Sequence, residues 1–144
     1  MRASLASKIG ASFLSIVALW IFAVNNCGAA SEEPASTKTI AAIKGYLVMQ
    51  TDQNGNINVE DPTTRANRTL EFISVHDTVR KNGDTYSICV GFVDRNTDEK
   101  VNVDYDFQQE EDGSIKVTQS SVHKINDKEF YAYDTQNNRI PTAP

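Results

Sequence analysis

Between Leu70 and Lys124, apolar and polar residues alternate with a period of two through four successive runs separated by turn residues. A chain with that period can only lay one face of each run on a core and turn the other away, which is the behaviour of strands. Asn82-Gly83 divides the first two runs, Asn96-Thr97-Asp98-Glu99-Lys100 the second and third, and Glu111-Asp112-Gly113-Ser114 the third and fourth. Connections this short join neighbours, so the stretch is expected to be an antiparallel meander. Asn-Gly favours a type I′ hairpin, because both central residues of that turn need a positive φ.

The turns also set registers, provided that the apolar residues of every strand reach one side. An Asn82-Gly83 turn places Val79 opposite Tyr86, Val75 opposite Val90 and Ile73 opposite Phe92. Phe92 then meets Val101, Val90 meets Val103, and Ile88 meets Tyr105; Phe107 meets Val117 and Tyr105 meets Gln119. On the reverse face the same registers draw a row of His76, Cys89, Asp104 and Ser120. Flanking it are Thr78, Ser87, Asp106 and Thr118 on one side, and Ser74, Gly91, Asn102 and Val122 on the other. His123 is expected on the apolar side.

Ahead of the meander, Ile40, Ile43 and Leu47, with Tyr46 beside them, form one apolar stripe at helical spacing. A helix over 39–50 is expected, with Ser36, Thr37 and Thr39 as candidate N-caps. Gly45 weakens it by about 1 kcal/mol relative to Ala, so packing on the sheet must hold it. Asn54-Gly55 and Asp61-Pro62 read as turns, with an edge strand over 57–59 between them. Asn67-Arg68-Thr69 has the form of a glycosylation acceptor, a pattern that also arises by chance.

The first thirty residues read as a separate unit. Arg2 and Lys8 give a positive start, Ile9 to Val24 is apolar, and Gly28-Ala29-Ala30 closes with small residues. This is the layout of a secretory signal peptide cleaved after Ala30. In the competing reading Cys27 is the lipidated first residue of an anchored protein. The expected organisation is a signal peptide over 1–30, a flexible linker over 31–38, a single domain over 39–134 and a flexible tail over 135–144. Cleavage removes Arg2 and Lys8 and moves the net charge from −5 to −7, with twelve basic residues against nineteen acidic. A chain so acidic lacks the basic footprint that nucleic acid requires. It also leaves Cys89 as the sole cysteine, with no intramolecular disulfide.

One helix followed by an antiparallel sheet is an α+β arrangement, here one N-terminal helix packed on a four- to five-stranded antiparallel meander. It resembles the cystatin-like or NTF2-like group of folds, in which a sheet curls about a helix. From Asp61 on, Leu70-Glu71-Phe72, Val75-His76-Asp77, Asp104-Tyr105-Asp106-Phe107 and Val122-His123-Lys124 resemble small exported bacterial domains of unknown function. That likeness implies no activity. The Gln-x-Val-x-Gly hairpin of inhibitory cystatins is absent, and protease inhibition is not expected.

The His76-Cys89-Asp104 row carries the sharpest chemical expectation. Paired residues on adjacent strands have Cβ atoms about 4.5–5.5 Å apart, close enough for His76 to activate a Cys89 thiolate. Asp104 would lie beyond the cysteine rather than behind the histidine, the wrong order for a nucleophilic triad. A buried structural cysteine accounts for the same residues. No His-x-x-x-His or Cys-x-x-Cys spacing is present, so a metal site is not expected, and seven scattered glycines make no phosphate loop that would imply a cofactor. The balance is an exported, non-catalytic domain presenting a sheet face to a protein partner or small ligand in the periplasm or outside the cell. The alternative is a thiol enzyme using Cys89 assisted by His76, and a third reading is a dimer disulfide-linked through Cys89.

Overall fold

A computed structural model describes residues 32–142. The expected signal peptide, its expected cleavage point and Cys27 lie outside the described residues. The elements are β1 (Glu32–Pro34), α1 (Thr37–Gln50), β2 (Asn56–Glu60), β3 (Asn67–Asn82), β4 (Thr85–Asp94), β5 (Lys100–Gln109), β6 (Ile115–Ile125), β7 (Lys128–Glu129), β8 (Tyr131–Tyr133) and β9 (Arg139–Pro141). The chain is α+β: one helix packs against an antiparallel sheet whose centre is the expected meander β3-β4-β5-β6. The sheet is wider than four or five strands. β7 extends it beyond β6, while β1 and β2 share the other edge, each pairing with a different half of the sixteen-residue β3.

The segment 31–38, expected as a linker, thus supplies β1 and the start of the helix. Ser36 is the N-cap, its hydroxyl accepting from the Thr39 backbone N–H at 3.0 Å, so α1 begins two residues earlier than its stripe suggested. Ile43 and Leu47 are buried, and the Tyr46 ring meets Tyr105 edge-on at 6.0 Å. The core below them is Ile88, Val90, Phe92, Val101, Val103, Tyr105 and Phe107, every second residue of β4 and β5. Val90–Val103, Phe92–Val101 and Ile88–Tyr105 pair as expected.

Three registers differ from the expectation, one because the first turn sits a residue later and two because a strand carries extra residues. The first hairpin closes with Asn82 opposite Thr85. Gly83 and Asp84 are therefore its central residues, and only Gly83 (φ 58°) is left-handed, the pattern of a type II′ turn. Val79 consequently faces Ile88, and three residues, His76 to Thr78, bulge opposite Cys89 before Val75 meets Val90. Nearer the start of β3, Phe72 rather than Ile73 faces Phe92.

In β6 the pairing shifts by one residue at Thr118 and again at His123. A one-residue slip turns every following side chain to the other face. The first shift carries Val122 to the apolar face opposite Val103, and the second brings Ile125 there opposite Val101. His123, between them, turns to the polar side. Asp104 faces Ser121, and Ser120 faces Tyr105.

Beyond β7 the chain folds back across the polar face. β8 and β9 pair as a two-stranded hairpin, Tyr133 opposite Arg139, so the tail expected over 135–144 contributes a strand. At the other end of the sheet, Arg68 bridges the Asp61 turn to the β4–β5 turn. It reaches Asp61 Oδ2 at 2.7 Å, Asp94 Oδ2 at 2.9 Å and Glu99 Oε2 at 2.7 Å.

Candidate functional site

The polar face converges on Asp104. It lies at the middle of β5, flanked by β4 and β6, and its side chain is fully buried. Alternation alone puts it opposite the core, where water would normally meet it. The β8–β9 hairpin excludes that water. Tyr131 and Tyr133, two apart on β8 and so on one face, donate their hydroxyls to Asp104 Oδ2 at 2.9 and 2.6 Å. His123 Nδ1 stands 3.5 Å from the same oxygen, an ion pair whenever the imidazole is protonated. The Tyr131 ring stacks on the imidazole at 4.8 Å, and Tyr133 meets it edge-on at 5.8 Å. Asp104 Oδ1 is buried and has no hydrogen-bond partner.

Cys89 is the neighbour of Asp104 on β4, as expected from the register, and is 6% exposed. Its Sγ, a carboxylate oxygen of Asp104 and a ring nitrogen of His123 all lie within 4.8 Å of one another. Burial, and then the negative charge of Asp104, hold the thiol well above its ordinary pKa. That is the opposite of an activated thiolate, which needs a positive neighbour and access. His76 supplies neither: it is exposed in the β3 bulge and is not in register with Cys89. The histidine that the fold brings to the row is His123.

Burial, and then Asp104, also raise both tyrosines, Tyr133 to about 12 and Tyr131 further. Both therefore remain hydrogen-bond donors to the carboxylate throughout the neutral range. Ser120, expected beside Asp104, is exposed and belongs to the neighbouring register position.

A second feature adjoins this cluster. Arg139 donates to Asp106 Oδ1 at 2.8 Å and to Ser121 Oγ at 3.2 Å, and its guanidinium lies 4.8 Å from the centre of the Tyr131 ring. Arg80 lies over Tyr133 at 4.6 Å. Ser87 donates to Asp106 from β4, and Asn82 reaches Asn138 Oδ1 at 2.9 Å. Between these groups is an open cleft of about 520 Å³, lined by Arg80, Asn82, Ser87, Asp106, Tyr133 and Arg139 among others. Two guanidiniums and one carboxylate line it, and Asp106 is ion-paired with Arg139 at 2.8 Å.

Asp106 and Ser87 appear in the polar rows drawn from sequence. Arg80, Arg139, Tyr131 and Tyr133 do not, because they arrive through the β3 bulge and through a hairpin with no periodic signal of its own. The odd spacings Val117, Val122 and Ile125 were the available sign that β6 must slip and turn His123 over. No helix among the described residues is long and apolar enough to cross a membrane. No protein-family model matches the chain, and neither a curated protein nor a solved structure resembles it significantly.

Proposed function

We propose that this chain is an exported, non-catalytic binding domain of cystatin-like or NTF2-like arrangement, holding a small polar ligand on the polar face of its sheet. The observation that carries the reading is the open polar cleft between Arg80, Asp106, Tyr133 and Arg139. Its groups are a planar guanidinium pair, amides and hydroxyls around an aromatic edge. These fit a hydroxyl-rich molecule bearing a carboxylate, since guanidinium matches carboxylate geometry with two parallel donors. The protonated, enclosed Cys89 supports binding rather than thiol chemistry.

Export rests on the layout of residues 1–30: the Arg2 and Lys8 start, the apolar run and the small-residue close. The mass of the protein recovered from the producing cell tests it. A mature chain beginning at Ser31 supports soluble export to the periplasm or beyond, and a lipidated Cys27 would replace it with an anchored form.

Calorimetry and thermal shift with D-glucuronate, D-glucose and acetate test the ligand class. Saturable binding of glucuronate that raises Tm, weaker binding of glucose and acetate, and loss in Arg80→Gln are expected. A glucuronate response absent at millimolar concentration, or unchanged in Arg80→Gln, sinks the reading.

A further inference from the structure

We propose that Cys89, Asp104 and His123 form a binding site for one divalent transition-metal ion of the zinc class, closed by Tyr131 and Tyr133 and adjoining the ligand cleft, with which it shares Tyr133. The three side chains come from three adjacent strands, β4, β5 and β6, and their donor atoms lie within 4.8 Å of one another. Thiolate, imidazole and carboxylate are the donor types that zinc and its neighbours accept. With metal–ligand bonds of about 2.0–2.3 Å, the edges of a tetrahedral centre are roughly 3.3–3.8 Å. The three donor groups already lie within 4.8 Å of one another, so filling the site asks for side-chain rotations that draw them together by about 1 Å.

A second observation points to an occupant. Asp104 is fully buried, and while Oδ2 takes both tyrosine hydroxyls, Oδ1 has no partner. A buried carboxylate oxygen left unpaired is costly, and native folds rarely leave one. The tyrosines thus fix the carboxylate by one oxygen and leave the other for a ligand. Stacking by Tyr131 fixes the imidazole plane in the same way. Hydrogen bonds that orient metal ligands are what sets such sites apart from chance clusters.

The charges close as well. A divalent ion binds the Cys89 Sγ after the thiol proton leaves to solvent, the Asp104 carboxylate, and the Nδ1 lone pair of His123. Two positive charges meet one thiolate and one carboxylate, and the buried centre becomes neutral. One proton is released per ion from the cysteine, as metal binding by thiols requires. The unpromising sequence spacing is explained by the fold: Cys89, Asp104 and His123 are brought together by register and by the β6 bulges, not by a short loop.

Cobalt(II) titration of the purified, reduced protein, with zinc as competitor, tests the proposal. A thiolate-to-cobalt charge-transfer band saturating at one ion per chain is expected, together with intense visible bands of tetrahedral cobalt. Zinc should bleach both, and about one proton per ion should appear in an indicator dye assay near neutral pH. Cys89→Ser and His123→Asn, each checked for native circular dichroism, should lose the charge-transfer band. Tyr133→Phe should weaken cobalt binding by about 10–100-fold, and His76→Ala should leave it unchanged. Wild-type protein without a charge-transfer band at stoichiometric cobalt overturns the site with no variant needed, and leaves Asp104, His123 and the tyrosines as a buried polar network. A band that survives Cys89→Ser, or one that depends on His76, overturns it equally.

Discussion

At the scale of single residues, the polar groups that matter are buried ones whose partners lie far away in sequence. Arg68 is the clearest. Read along the chain it is the middle of Asn67-Arg68-Thr69, with nothing to announce that its fork will hold Asp61, Asp94 and Glu99. Asp61 and Asp94 are almost fully enclosed, so removing the cation strands two carboxylates away from water. Arg68→Ala is therefore expected to cost about 3–5 kcal/mol, the range for breaking a buried pair, measured by urea denaturation at neutral pH. A loss below about 1 kcal/mol, the range of surface pairs, would show that water screens the cluster. The same clasp sets an acid limit. Burial opposes the charge on Asp61, but the Thr64 N–H, Arg68 and the Thr63 N–H outweigh it and hold the carboxyl at about 2. In the unfolded chain it returns to its ordinary value of 3.8 and binds a proton first. Its contribution, about 2 kcal/mol for a depression of this size, is thus full above pH 4 and lost as pH falls toward 2. Denaturation midpoints between pH 5 and 2 should fall steeply in the wild type and less steeply in Arg68→Ala.

At the scale of elements, what the sequence showed was the alternation, and what it hid was every place where alternation slips. The pairs Val90–Val103, Phe92–Val101 and Cys89–Asp104 follow from parity because β4 and β5 run without a bulge. His76 and His123 exchanged roles because β3 and β6 do not. A bulge costs a residue its pairing and is stabilised only by contacts elsewhere, here with β1 and with the hairpin, so local pattern cannot locate it. Ala35 N–H, for example, donates to Asp77 O within the β3 bulge at 2.7 Å. The helix was legible for the opposite reason, since its stripe and cap are local. Its Gly45 has nothing within 4 Å of where a Cβ would stand and is exposed. Gly45→Ala is expected to stabilise the protein by about 0.5–1 kcal/mol, read as a higher urea midpoint at unchanged slope. A destabilised Gly45→Ala protein would mean that the helix face is covered by something other than solvent.

At the scale of the whole molecule, the sheet has one face closed by its helix and the other closed by its own C-terminal end. The two closures differ in strength. The helix side is a continuous apolar core, whereas the β8–β9 hairpin has three residues per strand, and a hairpin of that size is not stable alone. It stays down through polar contacts: the two tyrosines on Asp104, Arg139 on Asp106, and Asn137 Nδ2 donating to Lys81 O at 2.7 Å. Local opening free energies follow such differences, with few apolar contacts giving the low end. The hairpin should therefore open without the sheet, and Cys89 should meet solvent by that route. In hydrogen exchange, amides of residues 131–140 should exchange well before those of β4 and β5. Iodoacetamide should modify Cys89 slowly in the intact protein, at a rate that His76→Ala does not change. A chain ending at Asp134 loses Arg139 and Asn137 while keeping both tyrosines and the entire sheet. Its far-UV circular dichroism should remain sheet-like, and its Cys89 should alkylate more than about tenfold faster than in the full chain at the same pH, because access governs a thiol in this environment. If the shortened chain is folded and its cysteine no faster, the hairpin is not what shields the site. Cys89 would then be enclosed by β3 and its bulge, and opening of the site for any ligand would have to be sought at β1, which pins that bulge through Ala35.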